Sequence, residues 1–139
     1  QRLRVGMSVL VREGSTERNL DALIGGVLRE KLPLDNLMFC TDDKHAGEIQ
    51  REGHINYNVA RAMELGVGEI DAVKLATLNA ARHFQLDSRI GSLKPGKQAD
   101  LIVIDKEFHV LETIVQGRTV YRQNDKIERN PAITDLKIG

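Results

Sequence analysis

Apolar positions along the chain fall into two textures. Up to residue 86, short unbroken apolar runs alternate with stretches of helical period; from Asp87 on, the texture is that of short strands and turns. Met7 to Val11, inside a strand predicted over 6–11, is almost continuously apolar. That is the pattern of a strand covered on both faces. Leu20, Leu23, Ile24, Val27 and Leu28 share one helical face, and Pro33 is expected to end that helix because it disfavours helical geometry in the residue before it. Ser15 or Thr16 is expected to cap it, with Glu17 in its first turn. A second strand spans 36–40, giving strand, helix, parallel strand. Ile55, Val59, Ala62 and Met63 predict a helix ended by Gly66, and Val73, Ala76, Thr77, Ala80, Ala81 and Phe84 predict another. Beyond it, in a stretch of β texture, Leu101 to Ile104 is apolar, and Phe108 to Tyr121 reads as two strands turning at Gln116-Gly117. The change of texture sets the expected units at 1–86 and 87–139.

The second apolar run stops abruptly at Thr41-Asp42-Asp43-Lys44-His45. A strand that delivers carboxylates at its C-terminal end is the layout of α/β barrels, whose chemistry sits on the loops after the strands. An Asp there suits a metal ligand or a proton carrier. A polar turn with a helix N-cap accounts for the same residues more simply. Arg12, Glu13 and Ser15 lie at the tip of the preceding strand, and consecutive parallel strands bring their tips to one side. They are therefore expected beside Asp42, although an Arg12–Glu13 ion pair with a capping Ser15 is an adequate structural account. Cys40 reads as a small buried hydrophobe. His83 and His109 read as ordinary half-buried or surface histidines.

Twenty basic and twenty acidic residues cancel, so there is no electrostatic case for nucleic acid or a membrane surface. No apolar run approaches the ~18 residues of a spanning helix, and no signal-peptide pattern is visible. A single Cys excludes an internal disulfide framework and fits a reducing cytoplasm. The 139 residues are far short of the roughly 250 of an eight-stranded barrel. The chain opens at Gln1, within what reads as a helix end at Arg2-Leu3-Arg4, so the expectation is a piece of a longer protein. Its parallel strands, apolar on both faces, call for partners outside the chain: other segments of the parent, or other copies in a homo-oligomer.

The stretch FCTDDKHAGEIQREGHINYNVARAM, from Phe39 to Met63, resembles the adenine deaminase branch of the metal-dependent amidohydrolases. So does Val11-Arg12-Glu13-Gly14-Ser15 followed by Asn19-Leu20. Ala76-Thr77-Leu78-Asn79-Ala80-Ala81 and the run from Ile90 to Val103 (IGSLKPGKQADLIV) are similar to an ending shared across that superfamily, which says little about substrate. The resemblance implies an α/β fold: the C-terminal portion of a (β/α)8 barrel, then part of a small β-sandwich domain. It implies hydrolytic deamination of adenine to hypoxanthine and ammonia, with a divalent, binuclear centre of manganese, iron or zinc. Asp42 would be the aspartate ending the eighth barrel strand, touching metal and collecting the proton of the attacking hydroxide. Arg12, Glu13, Ser15, Asp43, His45 and His54 would line or order the purine site.

The superfamily's remaining ligands, a His-x-His pair, a carboxylate or modified Lys and two further His, belong to strands outside this chain. The four His here, at 45, 54, 83 and 109, show no metal-ligand spacing. The isolated chain is therefore expected to be inactive. Another amidohydrolase reaction, such as cyclic-amide hydrolysis or a different deamination, would keep the same ending. A non-catalytic remnant serving as a binding module, or a standalone structural domain, would also share these features.

Overall fold

The computed structural model describes residues 1–124. Residues 125–139, part of the expected second unit, lie outside the described residues. A single 3-10 turn at Leu3–Val5 stands where the sequence suggested a helix end, and it closes on Gly6. The first strand, β1 (Val9–Arg12), begins later than expected, and helix α1 (Leu20–Arg29) leads to β2 (Leu37–Cys40). The strands pair in parallel, Val9 opposite Leu37 through Arg12 opposite Cys40. Their C-terminal ends therefore emerge together.

Helix α1 buries Leu20, Ile24 and Val27, a spacing that faces the sheet. Leu23, expected on that face, is 42% exposed. Pro33 does not end the helix. Lys31 takes a left-handed conformation, φ 48°, and Leu32 N–H and Lys31 N–H donate to Val27 and Leu28 carbonyls at 3.0 and 3.1 Å. This is a Schellman closure with a lysine where glycine is usual. The expected stop at Gly66 is of the same kind: it ends α3 (Ile55–Glu64) at φ 106°, with Val67 N–H donating to Ala62.

The helix expected through Val73 and Phe84 is two helices, α4 (Glu69–Ala76) and α5 (Leu78–His83). Thr77 divides them: its hydroxyl donates to the Val73 carbonyl at 2.7 Å, and its backbone leaves the helical region at φ −129°, ψ −83°. A hydroxyl bonded one turn back competes with the helix ladder and bends it. The bend turns Asn79 and Ala81 inward and leaves Phe84 61% exposed. The core joins Val11, Leu20, Ile24, Leu37 and Phe39 to Val59, Ala62, Ala72 and Leu75, with Phe108 at its margin.

Strands β3 (Leu101–Ile104), β4 (Val110–Val115) and β5 (Arg118–Arg122) form an antiparallel meander in that order. Gln116 and Gly117 both have positive φ, 50° and 76°, the requirement of a two-residue hairpin turn that matches strand twist. The Asp100 carboxylate accepts the Gln116 N–H at 2.8 Å and steadies that turn. In the parallel sheet, two strands are present among the described residues, and Met7 and Leu10 are 52% and 45% exposed. No helix among the described residues is long and apolar enough to cross a membrane.

Candidate functional site

The register that sets Arg12 opposite Cys40 makes the next residues of both strands neighbours. Glu13 N–H donates to the Cys40 carbonyl at 3.0 Å, extending the ladder one residue into the loops. Asp42 then turns the chain off β2 in a left-handed conformation, φ 52°. Aspartate tolerates that conformation better than most residues. Its Oδ2 accepts from Arg12 Nη1 at 2.5 Å, and both side chains are partly exposed. The alternative Arg12–Glu13 pair does not form.

Glu13, buried, accepts the Leu20 N–H at 3.1 Å and so satisfies the start of α1; its other oxygen lies 3.8 Å from Arg18. Ser15 does not cap α1, whose N-cap residue is Asn19. The Ser15 hydroxyl instead donates to Glu48 and accepts the His45 N–H at 2.8 Å. His45 occupies the N-cap position of an unexpected helix, α2 (Ala46–Glu52). Asp43 accepts from both the hydroxyl and the N–H of Thr16. The Thr16 hydroxyl, foremost, holds the Asp43 carboxyl below the usual range. Gly14 is needed where these loops meet: a Cβ there would sit 1.7 Å from Asp43 Oδ1 and 3.1 Å from the Thr41 carbonyl oxygen. His54, exposed at the N-cap of α3, shares a hydrogen bond with the Thr41 hydroxyl through Nε2 at 2.9 Å.

Behind these loops lies a second tier of charge that the sequence did not disclose. Arg18 Nη2 reaches both oxygens of Glu52, at 3.1 and 3.2 Å, and Glu48 at 3.4 Å. Donation from Ser15 lowers the Glu48 carboxyl, and donation from Arg18 lowers that of Glu52. Lys44 is buried against Glu52 at 3.2 Å. Two asparagines complete the support: Asn58 donates to the Cys40 carbonyl at 3.3 Å, and Asn79 donates to those of Leu34 and Leu37, each at 2.8 Å. An asparagine amid helical apolar spacing was the available signal for both. Burial raises the Cys40 thiol, with the Asp42 charge adding to it, which leaves it a poor nucleophile.

The structure thus brings Arg12, Glu13, Ser15, Asp42, Asp43, His45 and His54 onto adjoining loops at one end of the sheet. Asp42 does not line the nearby cleft of about 350 Å³, which is bordered by Glu13, Arg18, Asp21, Tyr57, Ala60, Arg61 and Glu64. His83 lies on α5 against Phe84.

For a divalent metal, the residues present fit as one contributor. Arg12 engages Oδ2 of Asp42 and leaves Oδ1 as a carboxylate oxygen able to coordinate; Thr16 likewise engages only Oδ2 of Asp43, whose Oδ1 is buried without a hydrogen-bond partner among the described residues. A catalytic ion takes about three protein ligands, so the others would come from elsewhere. Asp105, Glu107 and His109 also place ligand atoms within 4.8 Å of one another. Asp105 already accepts both the backbone and ring N–H of His109, and that turn accounts for the grouping.

Parallel strands linked by a helix, with a carboxylate turned out at the shared C-terminal end, are the construction of α/β-barrel enzymes. The chain belongs to the amidohydrolase family, whose model it matches over residues 8–120, and membership implies a divalent metal. Among curated relatives, an adenine deaminase of Desulforamulus reducens is 53% identical over 105 residues, covering 76% of this chain and 18% of the relative. An adenine deaminase of Desulfitobacterium hafniense is 44% identical over 137 residues, covering 99% and 23%. The chain therefore spans about a fifth of the length of the curated relatives it matches. In fold it is similar to a β-aspartyl dipeptidase of Fervidobacterium islandicum, with TM-score 0.67, 21% identity, 91% of this chain and 37% of that one. It is likewise similar to an N-acetylglucosamine-6-phosphate deacetylase of Pasteurella multocida, with TM-score 0.64, 19% identity, 84% and 38%.

Proposed function

We propose that the parent protein hydrolyses adenine to hypoxanthine and ammonia, and that this chain supplies its proton-carrying aspartate, Asp42. The observation that carries the reading is the 44% identity over 99% of the chain to a protein named adenine deaminase, a match that includes both strand-end loops. In this reading residues 1–86 are the last two strands and helices of a (β/α)8 barrel, and 87–139 are part of an accessory β domain. The parent is a cytoplasmic homo-oligomer whose binuclear centre holds manganese, iron or zinc. The ligand chemistry of one carboxylate does not choose among these metals.

The C6 amine of adenine is a poor leaving group, so the attacking water must be made nucleophilic and its proton must be carried to the departing nitrogen. A divalent metal, when bound through Asp42 and ligands from other strands, supplies Lewis-acid activation of that water. Asp42 takes the proton as the C–O bond to C6 forms, then returns it to the amine as the C–N bond breaks. Arg12, donating to Oδ2, fixes the carboxylate so that Oδ1 faces the reaction. Asp43 and His45 order the loop on which Asp42 stands. Glu13, Ser15 and His54 frame the purine side of the same loops.

The test is incubation of the full-length protein, loaded in turn with manganese, iron and zinc, with adenine, followed by chromatography for hypoxanthine and an ammonia assay. Equal yields of the two products support the proposal. A protein that cleaves cyclic amides under those conditions and leaves adenine intact refutes it in favour of another amidohydrolase reaction.

A further inference from the structure

Lys44 lies in the middle of the Asp42 loop with its side chain turned towards α2 and α3. Its side chain is 1% exposed, with Nζ 3.2 Å from Glu52 Oε2 and 4.3 Å from the centroid of the Tyr57 ring. No hydrogen bond completes the ammonium among the described residues, so a carboxylate on α2 and an aromatic face on α3 are what hold the charge. A strongly hydrated ammonium is costly to bury without such partners. The clamp therefore constrains where the backbone at residue 44 can lie. The opposite side of the loop is tied laterally to the β1–α1 loop, by Asp43 to Thr16 and by His45 N–H to Ser15. The two ends of the loop are also fixed, Thr41 by His54 at the start of α3 and His45 as the N-cap of α2. Between those ends, two residues from the left-handed Asp42, Lys44 is the side chain that anchors the middle of the loop to α2 and α3. Glu52 keeps Arg18 as a second partner, so the clamp can be opened at Lys44 without stranding a buried carboxylate.

Resting on the proposed deamination, we propose that Lys44, held between Glu52 and the Tyr57 ring, is a positioning residue that sets the Asp42 carboxylate for proton transfer. Its effect should fall on the chemical step, because displacing a proton carrier by a fraction of an ångström raises the barrier without altering substrate contacts. Tyr57 acts through its face: its hydroxyl makes no hydrogen bond among the described residues, so phenylalanine should serve as well.

The experiment compares Lys44→Met, Tyr57→Leu and Tyr57→Phe in the full-length protein. It reads kcat and KM for adenine, amide hydrogen exchange over residues 41–46, and the unfolding midpoint. The expected result for Lys44→Met is a fall of roughly 10- to 100-fold in kcat with unchanged KM, and faster exchange across the loop. Tyr57→Leu should show a smaller loss of the same kind, and Tyr57→Phe should match the wild type. A lowered unfolding midpoint with kcat and loop exchange unchanged would overturn the proposal, reducing Lys44 to a structural contact. A rise in KM at constant kcat would overturn it too. If Lys44→Met does not fold, the contrast between Tyr57→Leu and Tyr57→Phe decides: equal kcat and exchange in that pair overturn it. If the wild-type protein does not deaminate adenine, the functional reading fails by itself. The exchange measurement then still tests the clamp, faster exchange supporting it and unchanged exchange overturning it.

Discussion

Asn79 is the residue whose loss should reveal most about how the strand-end loops are held. Its side chain is 4% exposed on α5, and its amide donates to the carbonyls of Leu34 and Leu37, each at 2.8 Å. These carbonyls flank the start of β2, the strand that ends at Asp42. In Asn79→Ala both hydrogen bonds vanish. Leu34 keeps a partner in the Leu37 N–H at 3.0 Å, so its carbonyl is not orphaned. At a net ~1 kcal/mol per hydrogen bond, plus about 1–2 kcal/mol for the desolvated Leu37 carbonyl, the expected destabilisation is about 3–4 kcal/mol. Asn79→Asp keeps the shape but sets a carboxylate against two carbonyl oxygens, and should cost more because the buried charge is unpaired. Urea unfolding of the full-length protein, followed by fluorescence and by activity, measures both. A loss below ~0.5 kcal/mol for Asn79→Ala would refute the assignment of these two hydrogen bonds as the anchor of β2.

The remaining expectations concern the loops themselves. Gly14→Ala should force Asp43 away from Thr16, since the new Cβ would lie 1.7 Å from Asp43 Oδ1; adenine turnover should fall sharply while the far-UV circular dichroism is retained, and full activity would contradict the close approach. Acid should loosen the second tier. Glu48 and Glu52 are held below their ordinary range by Ser15 and Arg18, so the unfolded chain takes up protons first as pH falls below about 4.3. Their contribution is complete above that value and lost as pH drops through the folded pKa values. Ser15→Ala should therefore flatten the acid side of a plot of unfolding midpoint against pH, and an unchanged slope would contradict the Ser15–Glu48 contact.

Much of the site was legible because it rests on local rules. The apolar run ending at Thr41-Asp42-Asp43 announced a buried strand with carboxylates at its tip, and parallel pairing then placed Arg12 beside Asp42. Gln116-Gly117 was legible as a turn because glycine accepts positive φ freely. Helix α2 escaped detection because it buries no residue, so it leaves no apolar period to read. The division at Thr77 depended on a side-chain hydroxyl competing with the backbone, which periodicity does not register. The same holds for the helix end at Lys31, where a lysine takes the position usually given to glycine. The charge tier brings Arg18, from the loop after β1, to Glu48 and Glu52 on α2, thirty or more residues further along the chain. No spacing in the sequence encodes contacts between residues that far apart in the chain.

Whether Asp42 carries the proton in a deamination is decided by Asp42→Asn in the metal-loaded full-length protein. Asparagine keeps the size, tolerates the left-handed backbone at φ 52° and retains an oxygen for Arg12, but it has no carboxylate to take a proton. If Asp42 is the proton carrier, kcat for adenine should fall by roughly 10²–10⁴, with the fold and most of the metal content preserved. Turnover near the wild-type rate by a folded, metal-loaded Asp42→Asn protein would contradict it.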